Sequence, residues 1–236
     1  MRGKRVVRGM SLITALCLAS CASYDPVVKG LPSALDPSGP NVRKAEGGDL
    51  TLYVEEYATP EKSQAAFDTK MTDEGVLPLL IRVESRAQQG YEVKASQVVL
   101  RGQTPVKALT PEEAAGKAER SAVGRALGWS LIVPIIGIPI AIAASATHTS
   151  KINTQIAQDF AAKAFSDGTI VPNKERGGFV FFELEKGRKD LSGLSLEVTA
   201  RNLVTNEDLI IAAPLPTASF APKADTAGKP ATEHRF

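Results

Sequence analysis

The chain has 236 residues, with 28 Lys and Arg against 26 Asp and Glu, a formal charge of +2, 43% hydrophobic residues and two cysteines. That length allows one hydrophobic core of ordinary size, and so few cysteines leave packing to hold it together. The near-neutral balance, with no basic patch carrying interleaved aromatics, sets nucleic acid aside as a partner.

The chain opens MRGKRVVRGMSLITALCLASCASYDP. Arg2, Lys4, Arg5 and Arg8 make a basic start, and Met10 to Leu18 form an apolar core too short to span a membrane as a helix. This pattern predicts a secretory signal over residues 1–20. The ending Leu18-Ala19-Ser20-Cys21 resembles the lipobox of bacterial lipoproteins. The resemblance implies that Cys21 becomes the mature N-terminus and carries acyl chains, palmitate among them. Several chains on one residue give stable anchoring, where one holds only marginally. Ala22 and Ser23 follow, without the Asp that serves in that family as an inner-membrane retention signal. The implied location is the cell envelope, at the outer membrane facing the periplasm. On this reading Cys17 leaves with the signal and Cys21 is consumed by lipid, so no disulfide or thiolate remains. Removing the four cations of residues 1–20 from 28 leaves 24 against 26 acids, a net of about −2.

Residues 21–48 are rich in Pro, Gly, Ser and Asp and lack periodicity, which predicts a flexible tether with a reach of about 30 Å. Beyond it the dominant period is two. Leu50, Leu52 and Val54 share one face, as do Leu77, Leu79, Ile81 and Val83, with Val76, Pro78 and Leu80 on the other side of the second run. Pro78 points to a strand edge or a bulge. YEVKASQVVLRG, GGFVFFELEKG, SGLSLEVTARNL and EDLIIAAPL continue the pattern. The whole predicts a mainly β domain over 49–216, an antiparallel Ig-like β-sandwich of about six or seven strands with inserted helices. Residues 217–236 read as a disordered tail.

The helical insertion is expected at 110–168. Thr110, Pro111 and Glu113 form a capping box with proline at the first helical position. Ile152, Ile156, Phe160 and Ala164 recur four apart, with Lys151, Gln155, Asp159 and Lys163 on the opposite side and Gly168 as the stop, predicting an amphipathic helix. Between them, residues 126–146 carry no charge. Pro134, Gly137 and Pro139 stand at the centre of this stretch, and interior prolines break helices. Strand candidates precede and follow it, and neither group suffices for a core alone. An apolar helical hairpin at 126–146 is therefore expected, leaving and rejoining one sandwich. Trp129, Leu131, Ile132, Ile135, Ile136, Ile138 and Ile140 are its candidate contact residues, against the sandwich itself, a lipid leaflet, an envelope protein partner or a second copy of the chain.

No catalytic constellation emerges, and no enzyme, cofactor or metal is expected. His148 and His234 lack metal-ligand spacing, and His148 reads as a polar hinge after the apolar arm. The acidic pairs Glu55–Glu56, Glu112–Glu113 and Glu207–Asp208 suit local structure, and the glycines after Glu46 and Arg176 read as turns. Phe179, Phe181 and Phe182 mark a strand apolar on both faces, either central in the core or lining a pocket for an apolar ligand.

Pro105 to Ala114, Trp129 to Ala143, Asp167 to Phe182 and Ser192 to Leu215 together resemble a type of uncharacterised bacterial envelope lipoprotein. The resemblance implies a fold and brings no activity. The functional expectation is a non-enzymatic, lipid-anchored structural or adaptor component whose hairpin touches membrane or partner. The alternative is a binding or carrier module for an apolar ligand, with the hairpin as lid.

Overall fold

A computed structural model describes residues 24–28, 35–119, 138–185, 188 and 190–216, and between 138 and 149 the backbone alone. The described chain is mainly β, in two antiparallel sheets with three helices. In chain order the elements are β1 (Val42–Gly47), β2 (Leu50–Glu56), α1 (Pro60–Phe67), β3 (Val76–Ser85), β4 (Tyr91–Arg101), β5 (Val106–Lys107), α2 (Pro111–Ala118), α3 (Ile138–Lys163), β6 (Gly168–Ile170), β7 (Glu175–Glu183), β8 (Ser195–Asn202) and β9 (Asp208–Pro214). One sheet has the order β1-β2-β3-β7, the other β5-β4-β8-β9 with β6 also paired to β4. The first three strands stay neighbours and β4 is the first to cross, whereas in an Ig sandwich the third strand crosses.

The period-two faces become the core. Leu50, Leu52, Val54, Leu77, Leu79, Ile81 and Val83 of the first sheet pack against Val93, Val98, Leu196, Val198, Ala200 and Ile211 of the second. The first sheet is apolar on its other side too, where Tyr53, Val76, Leu80, Phe179 and Phe181 meet residues of all three helices. The architecture is therefore three layers: helices, four-stranded sheet, five-stranded sheet.

Pro78 lies in β3, a central strand paired with β7 without a register shift, so neither the expected strand edge nor a bulge is found; the proline is tolerated because it stands at the end of the pairing with β2. Glu56↔Leu79 is the last pair with β2, and the Pro78 carbonyl accepts from Tyr57 N–H at 3.0 Å, just past that end. A residue's N–H and C=O point to the same side, so the missing donor falls where the ladder has stopped.

Several expectations are corrected. The tether expected to reach 48 ends earlier, because Val42–Gly47 is a strand paired with β2 through a turn at Gly48 with φ +53°. The charges of Arg43, Lys44 and Glu46 stay exposed on this sheet edge, which hides the period. The helix expected to begin after His148 starts at Ile138 and runs unbroken through Ala146–Ser150, so no hinge forms there. It ends at Lys163 rather than near Gly168, because Ala164 and Phe165 pass to the edge of β7. The glycines after Arg176 are strand residues inside β7, not a turn.

Candidate functional site

The helical insertion is fastened at both ends to one strand edge. Leu109 N–H donates to the Phe181 carbonyl at 2.8 Å, and Phe165 N–H donates to the Phe179 carbonyl at 2.8 Å. These carbonyls lie on the edge of β7 away from β3 and are two residues apart, about 7 Å along a strand. The entry then turns at once into α2 through the expected capping box: the Thr110 hydroxyl accepts from Glu113 N–H at 3.2 Å, and the Glu113 carboxylate accepts from Thr110 N–H at 2.8 Å. Gly178 permits the exit. A Cβ there would stand 2.5 Å from both the N and Cα of Phe165 and 2.8 Å from the Ala164 carbonyl carbon.

Between sheet and helices sits a cluster of rings. Phe67, at the end of α1, touches Phe160 of α3 (centroids 4.7 Å apart), Phe179 (4.9 Å) and Phe181 (5.6 Å). Tyr57 meets Phe179 edge-on at 4.9 Å. Its burial, with Glu55 and Glu56 nearby, pushes the phenol up to about 12. Those two acids are tied down by Lys62, whose ammonium donates to Glu55 Oε1 at 3.1 Å, to Glu56 Oε1 at 3.4 Å and to the Glu56 backbone carbonyl at 2.9 Å. Ile152, Ile156 and Phe160 are buried against the same layer, as their spacing predicts.

Phe179 and Phe181 are each 1% exposed in this helix-side cluster, while Phe182 is fully buried on the opposite face, between the sheets. The three rings therefore do not line one pocket. An open polar cleft of about 530 Å³ lies elsewhere, bounded by Glu84, Ser85, Arg86, Asn173, Lys174 and Glu175.

Lys163 reverses its expected place on the polar side. It is fully buried, donates to the Ala66 carbonyl at 2.6 Å and to Asp159 Oδ2 at 2.5 Å, and lies 5.4 Å from the centre of the Phe67 ring. A lysine buried this deeply needs such partners, because an unpaired charge there is costly. Asp159 also accepts from the Tyr24 hydroxyl at 2.6 Å. The neighbours of Tyr24 follow it onto the helical layer. Pro26 is buried, Val28 N–H donates to the Ala65 carbonyl at 2.9 Å, and Asp25 N–H donates to Asp68 Oδ2 at 3.3 Å. Sequence reasoning missed this latch. The i,i+4 spacing of Asp159 and Lys163 hints at their pairing, but nothing local announces Tyr24 as a third member.

Of the residues singled out from sequence, Cys21, Trp129, Leu131, Ile132, Ile135 and Ile136 lie outside the described residues, as does the tail at 217–236. Ile138 and Ile140 fall in the first turn of α3, described by its backbone. Among the described residues no helix is long and apolar enough to cross a membrane, and no three His, Cys, Asp or Glu side chains come together as a metal set. Searches of protein-family models, curated proteins and solved structures found no match to this chain.

Proposed function

We propose that this chain is a non-enzymatic, lipid-anchored protein of the bacterial envelope, a structural or interaction component at the outer membrane. Cys21 carries the lipid, and the apolar stretch 126–146 is a helical hairpin that makes a second contact with the membrane. The observation that supports the hairpin in this reading is the double fastening on β7. The chain enters the insertion at Leu109 and leaves it at Phe165, on carbonyls two residues apart. The pairing of β3 with β7 and of β4 with β8 also joins the chain before the insertion to the chain after it. A polypeptide fixed this way cannot have its two halves on opposite sides of a bilayer. This supports a stretch that goes out and comes back. The start of α3 supports a turn at the proline-glycine centre. The helix begins at Ile138, directly after Gly137, and Pro139 falls in its first turn, where proline is tolerated.

The lipid anchor is tested by intact mass spectrometry of protein purified from membranes in detergent. The expected species begins at Cys21 and carries the mass of a diacylglyceryl group plus an N-acyl chain. A chain that still retains residues 1–20, or one cut elsewhere and free of lipid, would refute the anchor.

A further inference from the structure

We infer that the helical layer is the membrane-facing side of the domain, with α3 lying along the bilayer surface and the sheet β5-β4-β8-β9 turned away. This rests on the acylation of Cys21 and the membrane contact of the apolar stretch proposed above, and adds an orientation that neither requires by itself.

The first ground is the latch at the N-terminus. The chain does not leave the domain freely from residue 48. Tyr24, Pro26 and Val28 are already fixed to α3 and α1 through the Tyr24–Asp159 bond, burial, and the Val28–Ala65 bond. Cys21 stands only three residues before Tyr24. Fully extended, three residues reach about 11 Å. A lipid on Cys21 thus holds the Asp159 end of α3 close to the headgroups, in place of the ~30 Å that a free tether of residues 21–48 would allow.

The second ground is the other end of the same helix. α3 is 26 residues long and starts inside the apolar stretch. From Ile138 to Asp159 the axis runs about 32 Å at 1.5 Å per residue. Were α3 upright with its Asp159 end at the membrane, the apolar stretch, which reaches Ala146 inside α3, would begin about 20 Å away from it and lie about 32 Å away at Ile138. Were it upright the other way, Cys21 could not reach the lipid. Both attachments are satisfied together when the helix lies down.

Side-chain chemistry agrees along α3, whereas α1 and α2 of the same layer expose Glu61, Glu112 and Glu113 in their first turns. From Lys151 onward the exposed residues of α3 are Lys151, Thr154, Gln155, Gln158, Ala161 and Ala162, with one cation and no acid. Such a face meets a zwitterionic or anionic headgroup layer without repulsion. The outward face of the far sheet instead carries ion pairs, Arg101 with Glu197 and Arg201 with Asp208.

The test uses the full acylated chain. Its two cysteines, Cys17 and Cys21, are respectively removed with the signal and lipidated on this reading, so an introduced cysteine is the single free thiol. Gln155→Cys, Ala162→Cys and Ala212→Cys each place a fluorophore at an exposed position, two on α3 and one on β9. Each protein is checked for acylation by mass and for folding by circular dichroism. It is then reconstituted in phosphatidylethanolamine/phosphatidylglycerol vesicles bearing headgroup-attached nitroxides. Two packed layers separate α3 from the outer face of β9, about 20 Å, so quenching at 155 and 162 is expected to exceed that at 212 by at least about twofold. Equal quenching at the three positions, or stronger quenching at 212, overturns the orientation while leaving the lipid anchor intact. Absence of the acyl mass overturns the anchor, and the orientation with it.

Discussion

Replacing Phe67 with alanine is expected to lower the unfolding free energy by about 3–5 kcal/mol, the range for emptying a buried aromatic site. Phe67 has no solvent exposure and touches three other rings, from α3 and β7. It is the point at which the short helix α1 joins the insertion to the sheet. The lost area accounts for only part of the cost. The ring also lies 5.4 Å from the ammonium of buried Lys163, and a desolvated contact of that kind is worth up to about 2 kcal/mol. The cavity has little means of collapsing, because Phe179 and Phe181 are fixed in a paired strand. Urea titration of the detergent-purified protein, followed by circular dichroism, should show a lower midpoint with an unchanged slope. A loss under about 1 kcal/mol would mean that the cluster repacks and that α1 is peripheral.

The second large effect belongs to a residue with no side chain. Gly178→Ala is expected to cost about 3 kcal/mol, at the upper end of overpacking. The new methyl would meet Phe165 N and Cα at 2.5 Å and the Ala164 carbonyl carbon at 2.8 Å. All three are backbone atoms, so no rotamer change can clear them. Either β7 bends away from β3, or the exit of α3 lifts off and the Phe165–Phe179 hydrogen bond is lost. Gly116 in α2 provides the contrast. Nothing lies within 4 Å of a Cβ there, and an exposed helical Gly→Ala change should raise stability by about 0.5–1 kcal/mol. The same titration reads both variants. If Gly178→Ala is as harmless as Gly116→Ala, the close passage of Ala164–Phe165 over β7 is not needed.

What could be read in advance was what repeats locally. Leu77, Leu79, Ile81 and Val83 announce a buried strand face by alternation, and Thr110, Pro111 and Glu113 announce a helix start by side-chain chemistry. α1 went unread although Thr59 and Pro60 carry much of the same signature, because only Ser63, Ala66 and Phe67 are buried in its eight residues and no stripe emerges. The remaining misses are contacts between distant parts of the chain. Gly178 reads as turn glycine until Phe165 is seen against it. Lys163 reads as surface lysine until the Ala66 carbonyl and the Phe67 ring are placed around it. Tyr24 reads as tether until it is found bonded to a residue 135 positions away. The candidate site was half legible for the same reason. The apolar stretch and Cys21 stand out as local patterns, whereas the fastening that makes the insertion a closed excursion depends on two hydrogen bonds to β7.

The proposed second membrane attachment is tested by removing the first. The chain is expressed with Cys21→Ser behind a non-lipoprotein secretion signal, and beside it the same chain with Gly128–Ala146 replaced by a short Gly/Ser linker. Cells are broken and separated into soluble and membrane fractions. The unlipidated full-length chain is expected to sediment with membranes and to be released by detergent, while the linker variant is expected to be folded and soluble. An unlipidated full-length chain found free and monomeric in the soluble fraction would contradict the proposed attachment, and would place the apolar stretch inside the protein's own packing.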